Sequence, residues 1–380
     1  MNATRAGKSP IGLAVVGCGS IGAFRSTFAS NYPGVEWIGL CDIDEKKGRK
    51  LASDIGADFF TTDYNELLSR SEVNAVIIST EENEHVGPIH AALESGNKPR
   101  LLLEKPLATS AVESAKILNI IHDEGLDAVV GYTQRFRRKY LIVKQQILDG
   151  HLGNTTSAVT RAFMNGWAPF VTVTKTEYRT RLTPMVVSGT HSLDLSFWLF
   201  GDKKPVEIYA HSIDTTLAGL GTKDATFGIF TFDDNTMLSM NISWALPKVW
   251  PAATYTIELG IVGTKGVITV DDTHRDLVMA TEDPHPTHRT AVRPDMGLPE
   301  KKNVSFLASY PPGDMVMGQL WGAMREETGA WFSRLYTGAE TPHATAAEGH
   351  RNLMMTMAMD HSAKTGKAVS LPISPEELDE

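Results

Sequence analysis

The sequence predicts an α/β protein. Its first third reads as a doubly wound parallel sheet, and the remainder as a β-rich region of antiparallel hairpins packed on helices. Three observations predict this. Near-continuous apolar runs recur along the first third with helical stretches between them. The first run ends in a glycine-rich turn, "GCGSIG". Beyond about residue 155 the runs begin to alternate apolar with polar positions.

The apolar runs are "IGLAVVG", "VEWIGLCD", "NAVIIST", "RLLLEKP" and "DAVVGY". Runs with so little alternation suit parallel strands covered by helices on both faces. The intervening segments Glu45–Ile55 and His85–Ser95 carry helical spacing, and alternating β and α elements make a doubly wound sheet. Gly17, Gly19 and Gly22 have the G-x-G-x-x-G spacing. The first permits a tight turn, the second lets backbone approach a pyrophosphate, and the third allows close helix–strand packing. Ser20 and Ile21 open the following helix, whose N–H groups would face the phosphates. Asp42 stands 20 residues after Gly22, at the end of the second strand. That full context predicts dinucleotide binding. A carboxylate at Asp42 accepts the ribose hydroxyls and repels a 2′-phosphate, so NAD is expected over NADP. Lys46 and Lys47 are assigned to the next helix, not to the cofactor.

Thr80 falls at the end of the third run and His85 at the start of the helix that follows, and both, like Glu104 and Lys105, are expected cofactor contacts. "LLLEKP" then delivers Glu104 and Lys105 to the carboxyl end of its strand, where open α/β sheets bind ligands. Pro106 limits the backbone at Lys105 and can supply a cis bond in a tight turn.

From these residues the chain is identified as a member of the glucose–fructose oxidoreductase/inositol dehydrogenase (Gfo/Idh/MocA) family. The resemblance is carried by "GCGSIG", Asp42, the Thr80-to-His85 spacing, "EKP" at Glu104–Pro106 and "GYTQRF" at Gly131–Phe136. "GTHSLDLSFWLFG" at Gly189–Gly201 and the closing "AEGHRNLMMTMAMDHSAKTGKAVSLP" extend it over nearly the whole chain. It implies a Rossmann domain, residues 1–133, binding NAD partly through Gln134 and Arg135 just beyond it. It also implies a second domain, residues 134–380, on a large, mostly antiparallel open sheet, with the active site between the two. In the family the motif lysine contacts the reacting oxygen, and a helix histidine is the common acid/base. That carries over to Lys105 and His191, with Asp194 as a substrate hydroxyl ligand. Two positions depart from the family: Val187 replaces a carboxylate often found one turn before the histidine, and Glu81 replaces a proline.

The second region also reads independently. "VEIYAHSIDTT", "ATFGIFTF", "TMLSMNISWAL" and "TYTIELGIVG" alternate, and "FDDNT" and "GTKG" supply turn chemistry, which predicts antiparallel hairpins. An open sheet leaves edges and apolar surface exposed, so a homodimer or homotetramer is expected. The interval "NGWAPFVTVTKTEYRTRLTP" is rich in aromatic and hydrogen-bonding residues. It offers Asn165, Tyr178 and Arg179 as substrate contacts, with sheet-edge packing as the alternative.

Composition excludes other classes. Over 380 residues the formal net charge is −9, which argues against nucleic acid or an anionic membrane as partner. The basic stretch "RFRRK" reads as a solvated helix face. No apolar run approaches the ~20 residues that span a bilayer, and the short N-terminal one leads straight into the glycine turn. Two cysteines, Cys18 and Cys41, read as buried thiols, and the cytoplasm is the expected compartment. His285 and His288 have no third ligand beside them, so no metal is expected. "NLMMTMAM" reads as a core helix.

Chemically, the expectation is an NAD-dependent dehydrogenase acting on a secondary hydroxyl of a sugar, cyclitol or related polyol. His191 is the better base by intrinsic pKa, ~6.5 against ~10.4 for lysine, and Lys105 stabilises the developing alkoxide. Three alternatives stay open. One is ketone or imine reduction by the same machinery. Another is a dihydrodiol-type dehydrogenase of an aromatic-derived acid, which Arg179 and Arg181 would suit. The third is a non-catalytic NAD-binding sensor.

Overall fold

The computed structural model describes residues 10–165, 173, 181–246, 255–271, 277–286, 301–307 and 313–380. They form two compact units. The first comprises residues 1–108, 113–133 and 315–349, and the second comprises residues 109–112, 134–314 and 350–380.

The first unit is built on strands β1 (Ile11–Val16), β2 (Val35–Cys41), β3 (Phe59–Thr61), β4 (Ala75–Ile78), β5 (Arg100–Leu103) and β6 (Ala128–Val130). They are parallel, and an antiparallel β17 (Ala344–Thr345) closes the edge in the order β17-β6-β5-β4-β1-β2-β3. The missing alternation has a direct cause, because both faces of the sheet are buried. Leu13 and Val15 of β1 join one apolar cluster with Ile77 and Leu102, while Ala14 and Val16 join another with Val76, Ile78 and Leu103.

Helices α1 (Ser20–Ala29), α2 (Glu45–Ile55), α3 (Tyr64–Leu68), α4 (Val86–Glu94) and α5 (Ala111–Asp123) alternate with these strands. Asp44 caps α2 by accepting the Lys47 N–H, and Gly56 ends it in the left-handed region, φ 68°. The sequence pattern suggests a single break after residue 133, but residues 315–349 return to the first unit. Two packing features bring them back. The pairing of β17 on β6 is one, and the other is a helix, Ala323–Thr337, that buries Trp331, Phe332 and Leu335 in the cluster containing Leu13 and Val15.

The second unit begins with α6 (Arg138–Leu148) and carries α7 (Thr190–Phe200). The returning helix is α8, and α9 (Ala346–Thr365) and α10 (Pro375–Asp379) close the chain. Its sheet comprises β7 (Thr155–Asn165), β8 (Pro205–Ile213), β9 (Ala225–Phe232), β10 (Met237–Leu246), β11 (Tyr255–Gly263), β12 (Val267–Val270) and β18 (Val369–Ser370). The order is β12-β11-β7-β10-β9-β8-β18, antiparallel except where β7 runs parallel to β10. Two small ribbons, β13 (Leu277–Pro286) with β14 (Lys301–Leu307) and β15 (Asp314–Val316) with β16 (Gln319–Trp321), complete the strands.

The alternation seen in the sequence is that of a half-covered sheet. Phe230, Phe232, Leu238, Met240 and Ile257 pack with Phe197, Met354, Met355 and Met359. Val159, Tyr209, Phe227, Ile229 and Val262 project from the uncovered face. The methionine-rich run is thus a core helix, as its spacing suggests.

Candidate active site

Gly17, at φ 93°, makes the tight turn after β1, and a Cβ there would lie 2.6 Å from the Ser79 backbone. A Cβ on Gly22 would lie 1.8 Å from the Gly17 carbonyl oxygen, whereas one on Gly19 would meet nothing within 4 Å. The turn is therefore packed from below at Gly17 and Gly22 and open above at Gly19. Helix α1 starts at Ser20 and Ile21 without a side-chain cap, and such an N-terminus attracts an anion.

At the end of β2, Asp42 Oδ2 accepts the Cys18 N–H at 2.7 Å and Oδ1 accepts the Asp44 N–H at 2.9 Å. The carboxylate is thereby fixed with lone pairs left for ribose hydroxyls. Lys47 does lie in α2, but its Nζ reaches back to 3.1 Å from Asp42 Oδ2. A positive charge therefore accompanies Asp42, contrary to the expectation from sequence. A lysine stem of four carbons spans the first helical turn, which spacing along the chain does not reveal. Cys18 and Cys41 are both buried free thiols. Burial first, and the Asp42 charge second, push each up to about 12, so neither is a nucleophile at neutral pH.

At the carboxyl ends of β4 and β5 the Thr80 hydroxyl is buried without a hydrogen-bond partner. His85, 1% exposed, places Nδ1 2.7 Å from the Pro106 carbonyl and Nε2 3.2 Å from the Thr80 carbonyl. The Lys105–Pro106 peptide is cis, and Lys105 is half-buried. Glu104, just past the end of β5, meets Arg25 of α1. Arg25 Nε and Nη2 donate to Glu104 Oε1 at 3.0 and 2.6 Å, Nη2 also donates to Glu327 Oε2 at 2.6 Å, and Nη1 donates to the Thr328 hydroxyl at 2.7 Å. Arg25 and Glu327 are fully buried. Although burial opposes charge on Arg25, the two carboxylates outweigh it and hold the guanidinium above its ordinary range.

In the second unit, Arg135 Nε and Nη2 donate to Asp194 Oδ2 and Oδ1 at 2.8 and 2.6 Å, and Asn352 Nδ2 donates to Oδ1 at 2.8 Å. Arg135 and Asp194 are buried, and the guanidinium lies 5.6 Å from the Trp198 ring centre. The "RFRRK" stretch is thus not a solvated face at Arg135, because a bidentate carboxylate replaces the water. Both Asp194 oxygens are engaged by protein. Gln134, also buried, accepts from Arg137 Nη1.

His191 lies in the first turn of α7, 8% exposed. A π-helical turn, Met185–Gly189, leads into it, and such turns often occur at functional sites. The Val186 N–H donates to the Thr183 hydroxyl at 3.1 Å, and that hydroxyl donates to Asp360 at 2.5 Å. Val187, 8% exposed, leaves the turn before His191 without a carboxylate. Asn165 ends β7, and Tyr178 and Arg179 lie outside the described residues. Among the described residues no group of three His, Cys, Asp or Glu side chains could hold a metal.

Sequence reasoning missed Arg25, Glu327 and Asn352. The one available signal was an arginine inside the otherwise uncharged helix "SIGAFRSTFA". Glu327 is 302 positions away, so no local pattern could pair them.

An open glycine turn, an uncapped helix N-terminus, a fixed carboxylate after the second strand and an orphaned hydroxyl after the fourth fit a bound nicotinamide dinucleotide. These features define an NAD-binding oxidoreductase. Residues 11–132 match the Gfo/Idh/MocA oxidoreductase family with NAD-binding Rossmann fold, and residues 144–371 match that family's C-terminal alpha/beta domain. The chain belongs to this family. It is 24% identical to inositol 2-dehydrogenase 2 of Saccharopolyspora erythraea, over 96% of each chain. It is 25% identical to 2,7-anhydro-N-acetylneuraminate hydratase of Mediterraneibacter gnavus, over 69% of this chain and 67% of that protein. Scyllo-inositol dehydrogenase of Lactobacillus casei, solved with NAD(H) and scyllo-inositol, superposes with TM-score 0.73 at 17% identity, covering 95% of this chain and 99% of that one. Among the described residues no helix is long and apolar enough to cross a membrane.

Proposed function

We propose that the protein oxidises a secondary hydroxyl of a sugar, cyclitol or related polyol, using NAD. The observation that carries the reading is Lys105, half-buried at the carboxyl end of β5 in the same unit as the open glycine turn. The whole-length likeness to an inositol dehydrogenase supports the substrate class. NAD supplies the hydride acceptor. The glycine turn and the N-terminus of α1 hold its phosphates, and Asp42 holds the ribose hydroxyls. His191 takes the hydroxyl proton, and Lys105 stabilises the charge developing on the oxygen. Gln134 and Arg135 are proposed cofactor contacts and Asp194 a proposed substrate hydroxyl ligand, with Arg135 and Asp194 also engaging each other. Asn165, Tyr178 and Arg179 are proposed substrate contacts.

Arg181, which would meet the carboxylate of an aromatic acid, is exposed and lies within electrostatic reach of Asp379. This favours the polyol over the dihydrodiol reading. We place the reaction in the cytoplasm, on the strength of the unpaired cysteines. The uncovered apolar sheet face supports a homodimer formed through it, and a monomeric mass at micromolar concentration would exclude that assembly. The test of function is NADH formation from a panel of polyols, including myo-inositol and scyllo-inositol. Turnover of at least one is expected, and a panel silent at saturating NAD would overturn the polyol assignment.

A further inference from the structure

We propose that His85 is a positioning residue that ties down the turn carrying Lys105, a role that rests on the reading of Lys105 given above. Lys105 sits between two residues that are held by different means. On one side Glu104 belongs to the sheet: its N–H donates to the Ile78 carbonyl at 3.0 Å, and its carboxylate is gripped by Arg25. On the other side the ladder has ended, and Pro106 has no N–H to offer. The backbone handle left at Pro106 is its carbonyl, and that carbonyl meets His85 Nδ1 at 2.7 Å.

The ring is well placed for such a tie. His85 is itself held at the start of α4, where its carbonyl accepts the Ile89 N–H at 3.1 Å. Its Nε2 lies 3.2 Å from the carbonyl of Thr80, just past the end of β4. The imidazole therefore lies between the carboxyl ends of two adjacent parallel strands, whose last paired residues are Ile78 and Leu103, and its Nδ1 makes the shorter contact. Both partners are carbonyl oxygens, which only accept, so Nδ1 must carry a proton to make the shorter bond. With both nitrogens turned to backbone and the ring 1% exposed, His85 acts through Lys105 and not on the cofactor.

The role can be dissected because Asn and Gln each mimic one ring nitrogen. In His85→Asn the amide can still donate to Pro106 O. In His85→Gln it reaches toward Thr80 O and leaves Pro106 O untied, and His85→Leu removes both contacts. The readout is acylation of the Lys105 amine by limiting acetic anhydride, followed by peptide mass spectrometry with exposed Lys50 as reference. NADH binding by fluorescence controls for an intact cofactor site. His85→Asn is expected to label like the parent. His85→Gln and His85→Leu should label Lys105 about fivefold faster or more, the consequence of one lost hydrogen bond. Where His85→Leu does not fold, the Asn and Gln pair decides.

A Gln variant labelling at the parent rate overturns the tie, whatever Lys105 does in turnover. Full turnover by Lys105→Met beside a clear Gln effect overturns the catalytic reading of Lys105 and leaves the tie standing.

Discussion

Each unit buries an arginine against carboxylates, yet the two clusters are built differently. Among the described residues, Arg135 meets the Asp194 carboxylate in register with both its oxygens, and Asn352 supplies a neutral third partner. Among those described partners one guanidinium meets one carboxylate, and both are buried. Arg25 faces two carboxylates, Glu104 and Glu327, and directs two of its N–H groups to a single oxygen of Glu104. That cluster sets two carboxylates of the described residues against one guanidinium, and its Glu104 side chain is still 12% exposed. A balanced buried pair is a structural solution, replaceable in principle by apolar groups of similar volume. An unbalanced one, next in sequence to the proposed catalytic lysine, is harder to account for by packing alone.

The largest expected effect comes from removing either arginine. Arg135→Met takes the guanidinium away from both oxygens of buried Asp194 and should cost about 3–5 kcal/mol in urea unfolding. Arg25→Met strands two carboxylates and should cost more. The contrast sharpens in the double variants. Arg135→Met with Asp194→Leu should recover most of the loss, while Arg25→Met with Glu104→Gln should not, because Glu327 remains charged. Equal recovery in both would erase the distinction drawn between the clusters.

Asp360 probes the same physics without an arginine. Burial, opposed by the Thr183 hydroxyl, raises its carboxyl from 3.8 to about 7. Between those values the native state holds a proton that the unfolded chain has lost, so stability falls as pH rises through that window and levels off above it. The loss should be on the order of 2 kcal/mol between pH 5 and pH 8. Asp360→Asn should flatten it, and urea midpoints at the two pH values would show whether it does.

A smaller effect is expected at Asp42, a third charged contact, which is partly open to solvent through Lys47. Asp42→Ala removes two charge-assisted acceptors from the ribose and frees Lys47 for a 2′-phosphate. The ratio of kcat/KM for NAD over NADP should fall about 10-fold to 100-fold. An unchanged ratio would mean that Asp42 does not touch the ribose.

How much of this was legible follows from the range of the interactions. The strands β1, β2, β4, β5 and β6 were readable because burial on both faces forces apolar runs, and α2 because its cap and its terminal glycine are local. Strand β3, Phe59–Thr61, has only two apolar residues between polar neighbours, and β17 has two residues in all, so neither leaves a pattern. The return of residues 315–349 to the first unit was invisible for a related reason. An apolar helix face such as Trp331–Phe332–Leu335 does not say which sheet it covers. Of the proposed site residues, Gly17, Asp42 and Lys105 follow from motif and strand-end position, and His191 from the family resemblance. Arg25 with Glu327 and Arg135 with Asp194 are long-range pairs, and sequence shows only the isolated charges.

The central claim is that Lys105 and His191 carry the chemistry while the glycine turn and Asp42 carry NAD. The most direct measurement compares kcat on the best polyol, alongside the NADH dissociation constant, for the parent, Lys105→Met and His191→Ala. The account predicts that kcat falls by about 100-fold or more in each variant, with NADH binding within about threefold of the parent. Near-normal turnover in both variants, or loss of NADH binding that matches the loss of turnover, would contradict it.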